Sequence, residues 1–271
     1  MHMAKKIKII FLCLAATAAV LLLYAYLETY WVQIVNTAIV NENIPAEFSG
    51  KKIVFIADIH CGEGFGPERL DGMVNQINSL KPDIVILGGD YANRNGSNTD
   101  ICFNKMAAIK APLGKFGILG NHDPEAGTEG VKSAMIDAGF TPLVNENRKI
   151  AVGGAQITIA GTDETWYGNP DGAKAMENAT GFTVYVSHDP WYLEQYRPNA
   201  QLLLTGHTHG GQVTFFGIPF AAWVFHHKLK YEKGIFFEND RTIIATNGIG
   251  ATILPLRFFA RPQINLITLE K

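Results

Sequence analysis

Five short motifs built from Asp, Asn and His each follow a run of apolar residues in this chain. The apolar runs are only four to seven residues long, which is typical of buried β-strands. In chain order the motifs are Asp58-Ile59-His60, Gly89-Asp90, Gly120-Asn121-His122-Asp123, Ser187-His188-Asp189 and Gly206-His207-Thr208-His209. Functional groups in parallel sheets lie beyond the carboxyl ends of the strands. We therefore expect these polar side chains to converge at one edge of the fold.

Strands and helices alternate in the first half of the chain. Lys51–Ala57 and Asp83–Leu87 read as buried strands, and Pro67 opens a helix between them. This alternation predicts a largely parallel sheet with helices on its faces. The second half contains a predicted hairpin around Gly153-Gly154 and further apolar strands. We predict an α/β fold with two packed mixed β-sheets flanked by helices, an α/β/β/α sandwich, in one catalytic domain over residues 51–271.

The N-terminal segment predicts a membrane anchor. Between Ile7 and Leu27 the only charged residue is Lys8. The run is about as long as the ~20 residues that a helix needs to cross a bilayer. Tyr30 and Trp31 follow it, as aromatic residues do at membrane interfaces. We expect residues 1–30 to form a transmembrane or membrane-anchor helix and residues 31–50 to be a linker. A cleavable signal peptide and a buried helix of a soluble protein are the alternatives.

The side of the membrane stays open. Lys5, Lys6 and Lys8 precede the apolar run, which favours a cytoplasmic N-terminus and a catalytic domain outside the cytoplasm. Lys51 and Lys52 also follow the run. A helix lying in the membrane interface would instead leave the domain on the cytoplasmic face.

Charge and cysteine content narrow the class of protein. The chain of 271 residues has 23 basic and 25 acidic side chains, a formal net charge of -2. This balance gives no support for nucleic-acid binding, which usually needs a basic excess. The three cysteines are widely spaced and predict no disulfide framework. Cys61 directly follows His60 and is either a soft metal ligand or a small residue beside the site.

The motif side chains together have the chemistry of a divalent metal centre. Carboxylate and amide oxygens mixed with imidazole nitrogens suit Mn²⁺, Fe or Zn²⁺ better than Mg²⁺. Two neighbouring divalent ions hydrolyse phosphate esters by clamping the attacking and leaving oxygens. Each motif alone is a weak signal, because a lone histidine is more often structural and Gly-Asn is typical of turns. The five motifs in this order predict a phosphohydrolase with two metal ions, most readily Mn²⁺.

The motif set resembles the calcineurin-like metallophosphoesterase superfamily over roughly residues 50–270. The longer stretches Gly206–Gln212 and Gly248–Pro262 resemble its membrane-associated bacterial branch, which includes phosphodiesterases and UDP-2,3-diacylglucosamine pyrophosphatases. That resemblance implies a bacterial cell membrane location. It also implies seven metal ligands. The first ion would be held by Asp58, His60 and His209, and the second by Asn121, His188 and His207, with Asp90 bridging both.

The resemblance further implies two catalytic residues. His122 would face the scissile phosphate and stabilise or protonate the leaving oxygen, and Asp123 would orient His122. One departure is visible, because Tyr91-Ala92-Asn93 follows Asp90 where many relatives place an acidic residue. This departure affects the hydrogen bonds around the ligands and leaves the ligand set intact.

The expected substrate is a phosphodiester or pyrophosphate, such as a lipid-linked or nucleotide-lipid phosphate. No nucleic acid and no obligate protein partner are expected. The alternatives are a non-catalytic metal-dependent binding or sensor protein and a phosphodiesterase or phosphatase of soluble nucleotides. The apolar stretch Phe215–Phe225 reads either as a lip that meets lipid tails or as packed core. Arg94 and Arg257 read either as phosphate partners or as solvated charges.

Overall fold

The computed structural model describes residues 2–62, 64–92, 98–215, 218–219 and 229–271. Arg94 and most of the apolar stretch over residues 215–225 lie outside the described residues, so neither interpretation of them is addressed. The described residues contain six α-helices. They are α1 His2–Glu28, α2 Pro67–Ser79, α3 Thr99–Met106, α4 Thr128–Asp137, α5 Gly172–Ala175 and α6 Pro190–Gln195.

Two six-stranded sheets form the centre of the catalytic domain. The strands of the first sheet, in spatial order, are β1 Gln33–Val40, β14 Gln263–Glu270, β2 Lys52–Ile56, β3 Ile84–Leu87, β4 Gly114–Gly117 and β5 Thr141–Pro142. Those of the second are β12 Gly234–Glu238, β13 Arg241–Ala245, β9 Leu202–Thr205, β8 Thr183–Val186, β7 Ala155–Gly161 and β6 Glu146–Val152. A short ribbon pairs β10 Thr214–Phe215 with β11 Ile218–Pro219.

Both sheets are mixed. In the first sheet β2, β3, β4 and β5 run parallel, and β14 runs antiparallel to β2. In the second sheet β7, β8, β9 and β13 run parallel, with antiparallel strands at both edges. The predicted fold class is confirmed.

The alternation of side chains along each strand builds the layers. In β2, Ile53 and Phe55 pack between the two sheets, whereas Val54 and Ile56 pack under the helices α2, α3 and α4. Successive residues of a strand point to opposite faces, so a fully apolar strand requires cover on both sides. A third cluster, which includes Tyr185, packs the outer face of the second sheet against α5 and α6.

The N-terminal region differs in part from the prediction. Helix α1 is one continuous helix whose most apolar window is entirely unburied, and by length and composition it can cross a membrane. The segment over residues 31–50, expected to be a linker, contains β1. This strand pairs in parallel with β14 over eight residues, from Gln33 with Gln263 to Val40 with Glu270. The chain after α1 is therefore part of the first sheet.

Candidate metal centre

The motif residues converge where the carboxyl ends of the two sheets meet. Strands β2, β3 and β4 of the first sheet lead to Asp58, Asp90 and Asn121. Strands β8 and β9 of the second sheet lead to His188 and His207. All seven predicted ligands therefore come to one place, although they are spread over about 150 residues of sequence.

Two groups of potential ligands form in this cluster. One contains Asp58, His60 and His209, and the other contains Asp90, His188 and His207. Within each group the ligand atoms all lie within 4.8 Å of one another. The His60 and His209 Nε2 atoms are 3.1 Å apart. Two ligands that sit at right angles, each about 2.1 Å from one ion, are roughly 3 Å apart, so this spacing suits a shared ion.

Asp90 lies between the two groups. Its Oδ2 atom is 3.6 Å from His60 Nε2 and 3.2 Å from His188 Nε2. Its Oδ1 atom accepts a hydrogen bond from the backbone N–H of His122 at 2.8 Å. A carboxylate in contact with both groups is placed as a bridging ligand requires.

Asn121 joins the second group through its side-chain oxygen. The Oδ1 atom is 3.2 Å from His188 Nε2 and 2.8 Å from His207 Nδ1. The other ring nitrogen of His188, Nδ1, is 2.7 Å from the carbonyl of Gly88. A hydrogen bond there fixes the ring so that Nε2 faces the centre.

Burial dominates the electrostatics of this cluster. It raises the pKa of Asp58 to about 7 and lowers the pKa of His60 to about 4. Burial also opposes the charge on Asp90, but the nearby His188 outweighs it and lowers the pKa of Asp90. In return Asp90 raises the pKa of His188 to about 10, again against burial. A buried carboxylate needs a cation, and among the described residues the protonated His188 ring supplies one to Asp90 at 3.2 Å.

The backbone of the ligand loops is held in an unusual conformation. Asp58, His60, Asp90, His207 and His209 all have positive φ angles, between 47° and 69°. Such conformations cost on the order of 1–3 kcal/mol each and concentrate at functional sites. They turn the side chains inward immediately after the strands end.

Glycine is required beside the ligands for space. A Cβ atom on Gly120 would lie 2.2 Å from Asp90 Oδ1, and one on Gly206 would lie 2.7 Å from Asp58 Oδ2. Both distances are shorter than atoms can approach. The glycines that begin two of the sequence motifs therefore let the ligand carboxylates pack against the neighbouring loop.

Asp123 is placed differently from its expected role. Its buried carboxylate accepts hydrogen bonds from the backbone N–H groups of Asp90, Tyr91 and Gly120 at 2.8–2.9 Å. The Nδ1 atom of His122 has no hydrogen-bond partner. Its nearest carboxylate is Glu125, whose Oε1 is 3.5 Å away. The expectation that Asp123 orients the His122 ring is therefore corrected: Asp123 joins the two loops that carry Asp90 and Asn121.

Cys61 is not a metal ligand in the structure. It forms a disulfide with Cys102 of helix α3, and the pair closes a loop with a sequence separation of 41. The prediction that the cysteines form no disulfide framework was wrong at this pair. Spacing alone could not reveal it, because the two residues meet only when α3 packs beside the loop after β2.

Arg257 and Glu28 connect helix α1 to this region, a role that the sequence analysis assigned to neither residue. The fully buried guanidinium of Arg257 donates to the carbonyls of Asn247, Gly250 and Ala260. It is therefore neither a phosphate partner nor a solvated charge. The carboxylate of Glu28, at the end of α1, accepts the backbone N–H groups of Phe259 and Ala260 at 3.0 and 2.7 Å. The end of α1 is thus docked on the catalytic domain.

The residues present fit divalent metal ions. The donors are carboxylate and amide oxygens and imidazole nitrogens, the set preferred by Mn²⁺, Fe and Zn²⁺. The 3.1 Å approach of the His60 and His209 Nε2 atoms suits two nitrogens that share one ion. A cation also removes the cost of the buried carboxylates.

Comparison with known proteins gives a consistent picture. The family model described as "Calcineurin-like phosphoesterase" matches residues 51–211. The chain is 33% identical to the uncharacterized metallophosphoesterase YkuE of Bacillus subtilis over 260 residues, covering 90% of this chain and 88% of the relative. It is 32% identical to the phosphodiesterase YaeI of Escherichia coli over 228 residues, covering 80% and 82%. A transmembrane protein with metallophosphoesterase domain from Danio rerio is 28% identical over 256 residues, covering 88% and 57%.

Proposed function

Because the chain belongs to the calcineurin-like phosphoesterase family and is a metal-dependent phosphoesterase, we propose that it is a membrane-anchored phosphodiesterase or pyrophosphatase with two metal ions. Its substrate is a lipid-linked phosphate, with a nucleotide-lipid such as UDP-2,3-diacylglucosamine as the leading candidate. The observation that carries the hydrolytic part is the meeting of two ligand groups at Asp90.

The proposed ligands divide between two sites. Asp58, His60 and His209 hold the first ion and Asn121, His188 and His207 hold the second, with Asp90 shared. Bound divalent ions, with Mn²⁺ preferred, neutralise charge on the phosphate oxygens and lower the pKa of water. The chain's contribution is to hold these ligands in place through the Asp123 hydrogen bonds and the short strand-end loops.

His122 is the proposed proton donor to the leaving oxygen. Its ring is partly exposed and lies 5.3 Å from the ring of His60, measured between centroids. It also lines a cleft that reaches the metal centre. The carboxylate of Glu125 lies 3.5 Å from the Nδ1 atom of this ring, which leaves Nε2 for the substrate.

The cleft lined by His122 also reaches the end of helix α1, and we call it the anchor cleft. Its position supports a lipid-linked substrate. Its volume is about 740 Å³, and its lining residues include Tyr26, Tyr30, His60, Arg69, His122 and Leu254. It thus runs from the end of the anchor helix to the metal centre. Arg69 stacks over the ring of Tyr30 at 4.4 Å and supplies a cation for a phosphate headgroup. Ile253, which is 85% exposed, adds apolar surface at the rim.

The disulfide supports a catalytic domain outside the cytoplasm. Disulfides persist in oxidising compartments and are rare in the cytosol. The Cys61–Cys102 bond therefore agrees with the lysine residues that precede the span and favour a cytoplasmic N-terminus. A topology reporter fused to the C-terminus tests this orientation.

The test compares variants of the full-length protein in detergent. Asp90→Ala and His207→Ala are expected to lower Mn²⁺-dependent hydrolysis of an aryl phosphodiester by more than about 100-fold, because both remove a metal ligand. Asp137→Ala, an exposed change on α4, is the matched control and should retain activity. Ordinary turnover in the ligand variants would reject the mechanism.

The substrate is then identified with the wild-type protein. UDP-2,3-diacylglucosamine, a phospholipid and a soluble nucleotide diester are compared after chelation and Mn²⁺ addition. Faster turnover of the lipid-linked compounds is the expected result. Equal or better turnover of the soluble diester would favour the nucleotide alternative. Metal binding without any turnover would favour the binding or sensor alternative.

A further inference from the structure

A second cleft adjoins the metal centre on another flank. It has a volume of about 610 Å³, and its lining residues include Thr165, Trp166, Tyr167, Asp189, Trp191 and His207. Three of these side chains are large aromatic residues that remain exposed, by 61% for Trp166, 65% for Tyr167 and 46% for Trp191. Clustered exposed apolar surface marks a binding site more often than an idle surface.

The loop that presents these rings is held firmly. The buried carboxylate of Glu164 accepts the backbone N–H groups of both Trp166 and Tyr167 at 2.7 Å. Asp189 accepts the Thr165 hydroxyl at 3.1 Å and the Trp191 backbone N–H at 2.8 Å. The backbone that carries the three aromatic side chains is therefore fixed by buried acceptors. Such rigidity lowers the entropy lost when a ligand binds.

The cleft opens directly beside a proposed metal ligand. The ring centroid of Trp166 is 5.7 Å from that of His207, at an angle of 63°. Aromatic rings interact at centroid separations of about 4.5–7 Å. A planar ring stacked on Trp166 would thus lie within about two ring spacings of the His207 ring, and a phosphate attached to the same ligand could reach the ions.

The lining of this cleft argues against a lipid headgroup as the occupant. Its described residues include no lysine or arginine, and Asp189 contributes a carboxylate. An anionic membrane surface attracts basic side chains instead. The anchor cleft has the opposite character, with Arg69 and the end of the anchor, and the two clefts share no lining residue.

We propose that Trp166, Tyr167 and Trp191 form a site for the nucleobase of the substrate. The inference rests on the proposed function and deepens it. The phosphate of one ligand would bridge the metal centre, with its lipid in the anchor cleft and its base on the aromatic side chains. Base stacking tolerates any base, so the site selects for a planar ring more than for a particular pattern of hydrogen-bond donors and acceptors on that ring.

The test measures binding directly by calorimetry on the full-length, Mn²⁺-loaded protein. Adenosine 5′-monophosphate is compared with ribose 5-phosphate, which has the same sugar and phosphate without the base. Wild type should bind the nucleotide more tightly. Trp166→Ala should weaken nucleotide binding by about 5-fold to 100-fold more than it weakens ribose 5-phosphate binding. Trp166→Phe, which keeps a ring, should restore most of the preference.

Phe237→Ala is the matched control, because Phe237 is 75% exposed on the edge strand β12 and lines neither cleft. It should keep the wild-type preference. Equal binding of both ligands by wild type would overturn the inference. The inference would also be overturned if Trp166→Ala bound the nucleotide as tightly as wild type and brominated lipids quenched wild-type fluorescence more strongly than that of the variant. That result would mean that the rings contact the bilayer.

Hydrolysis of the aryl phosphodiester, measured on the same protein preparations, separates the two proposals. Metal-dependent turnover of the diester, together with no binding preference for the nucleotide, would overturn the base site and leave the proposed function standing. Base-selective binding without metal-dependent turnover would support the base site and overturn the proposed function.

Discussion

Replacing Asp123 by asparagine tests whether this residue acts on His122 or builds the ligand loops. The carboxylate is fully buried, and its Oδ2 atom accepts the N–H groups of Asp90 and Gly120 while Oδ1 accepts that of Tyr91. An amide has one oxygen in place of two. In its better orientation the introduced amide would keep two of these hydrogen bonds and place its NH₂ group against the third N–H.

The expected magnitude follows from this count. A lost hydrogen bond to a charged acceptor costs about 1.5–3 kcal/mol, and the unpaired buried donor adds to that cost. Part of this lost free energy is recovered, because burial raises the pKa of Asp123 to about 7 and the neutral amide removes a charge that burial disfavours. The free energy of unfolding should therefore fall by roughly 2 kcal/mol. For a domain of this size, that corresponds to a drop in Tm of about 4–8 °C.

The assay is thermal unfolding in chelator, followed by Mn²⁺ titration. Asp123→Asn should melt earlier and bind Mn²⁺ about 10-fold more weakly, because its loop holds Asn121 beside Asp90. Glu125→Gln is the comparison, since Glu125 contacts the His122 ring from a partly exposed position. It should lower kcat with a stability change within about 0.5 kcal/mol. If Asp123→Asn has the wild-type Tm and metal affinity but a low kcat, the role of Asp123 in holding the ligand loops is refuted. Its expected role in orienting His122 would then be restored.

Two further predictions concern metal and redox state. Chelation should lower the Tm of the wild type by roughly 10–20 °C relative to protein with Mn²⁺ at 100 times its Kd, because each of the two ions adds about 2.7 kcal/mol. An unchanged Tm would contradict a metal centre in the fold. Thiol titration of the denatured protein should find one reactive cysteine, Cys13, before reduction and three after it. Reduction should destabilise the domain by up to about 4 kcal/mol for a 41-residue loop. Three thiols without reductant would exclude the Cys61–Cys102 bond.

The fold class and the convergence of the motif residues at one sheet edge were predictable because their signals are local. A strand covered on both faces must be apolar at every position, so β2 and β3 are visible as Ile-Val-Phe-Ile and Ile-Val-Ile-Leu. Polar residues that directly follow such strands must lie at the carboxyl edge of the sheet. That reasoning predicts Asp58 and Asp90 at the same edge of the first sheet, where the structure has them.

The strand β1 was not predictable from its own residues. Its burial pattern mixes exposed and buried positions, as expected at a sheet edge, and its partner β14 lies at the other end of the chain. Edge strands have a weaker hydrophobic signal because only part of their surface is covered. The parallel pairing with β14 is decided by contacts across some 230 residues of sequence.

The sequence by itself determined the order of strands and motifs, and with it the chemistry of the donors that gather at the sheet edges. Only the tertiary structure decided which partner each polar group has. Asp123 pairs with backbone N–H groups, Arg257 is buried among carbonyls, and the exposed Trp166 adjoins His207. The physical reason is that residue type sets which interactions a side chain can make, whereas burial and the distance to a partner depend on how distant segments pack.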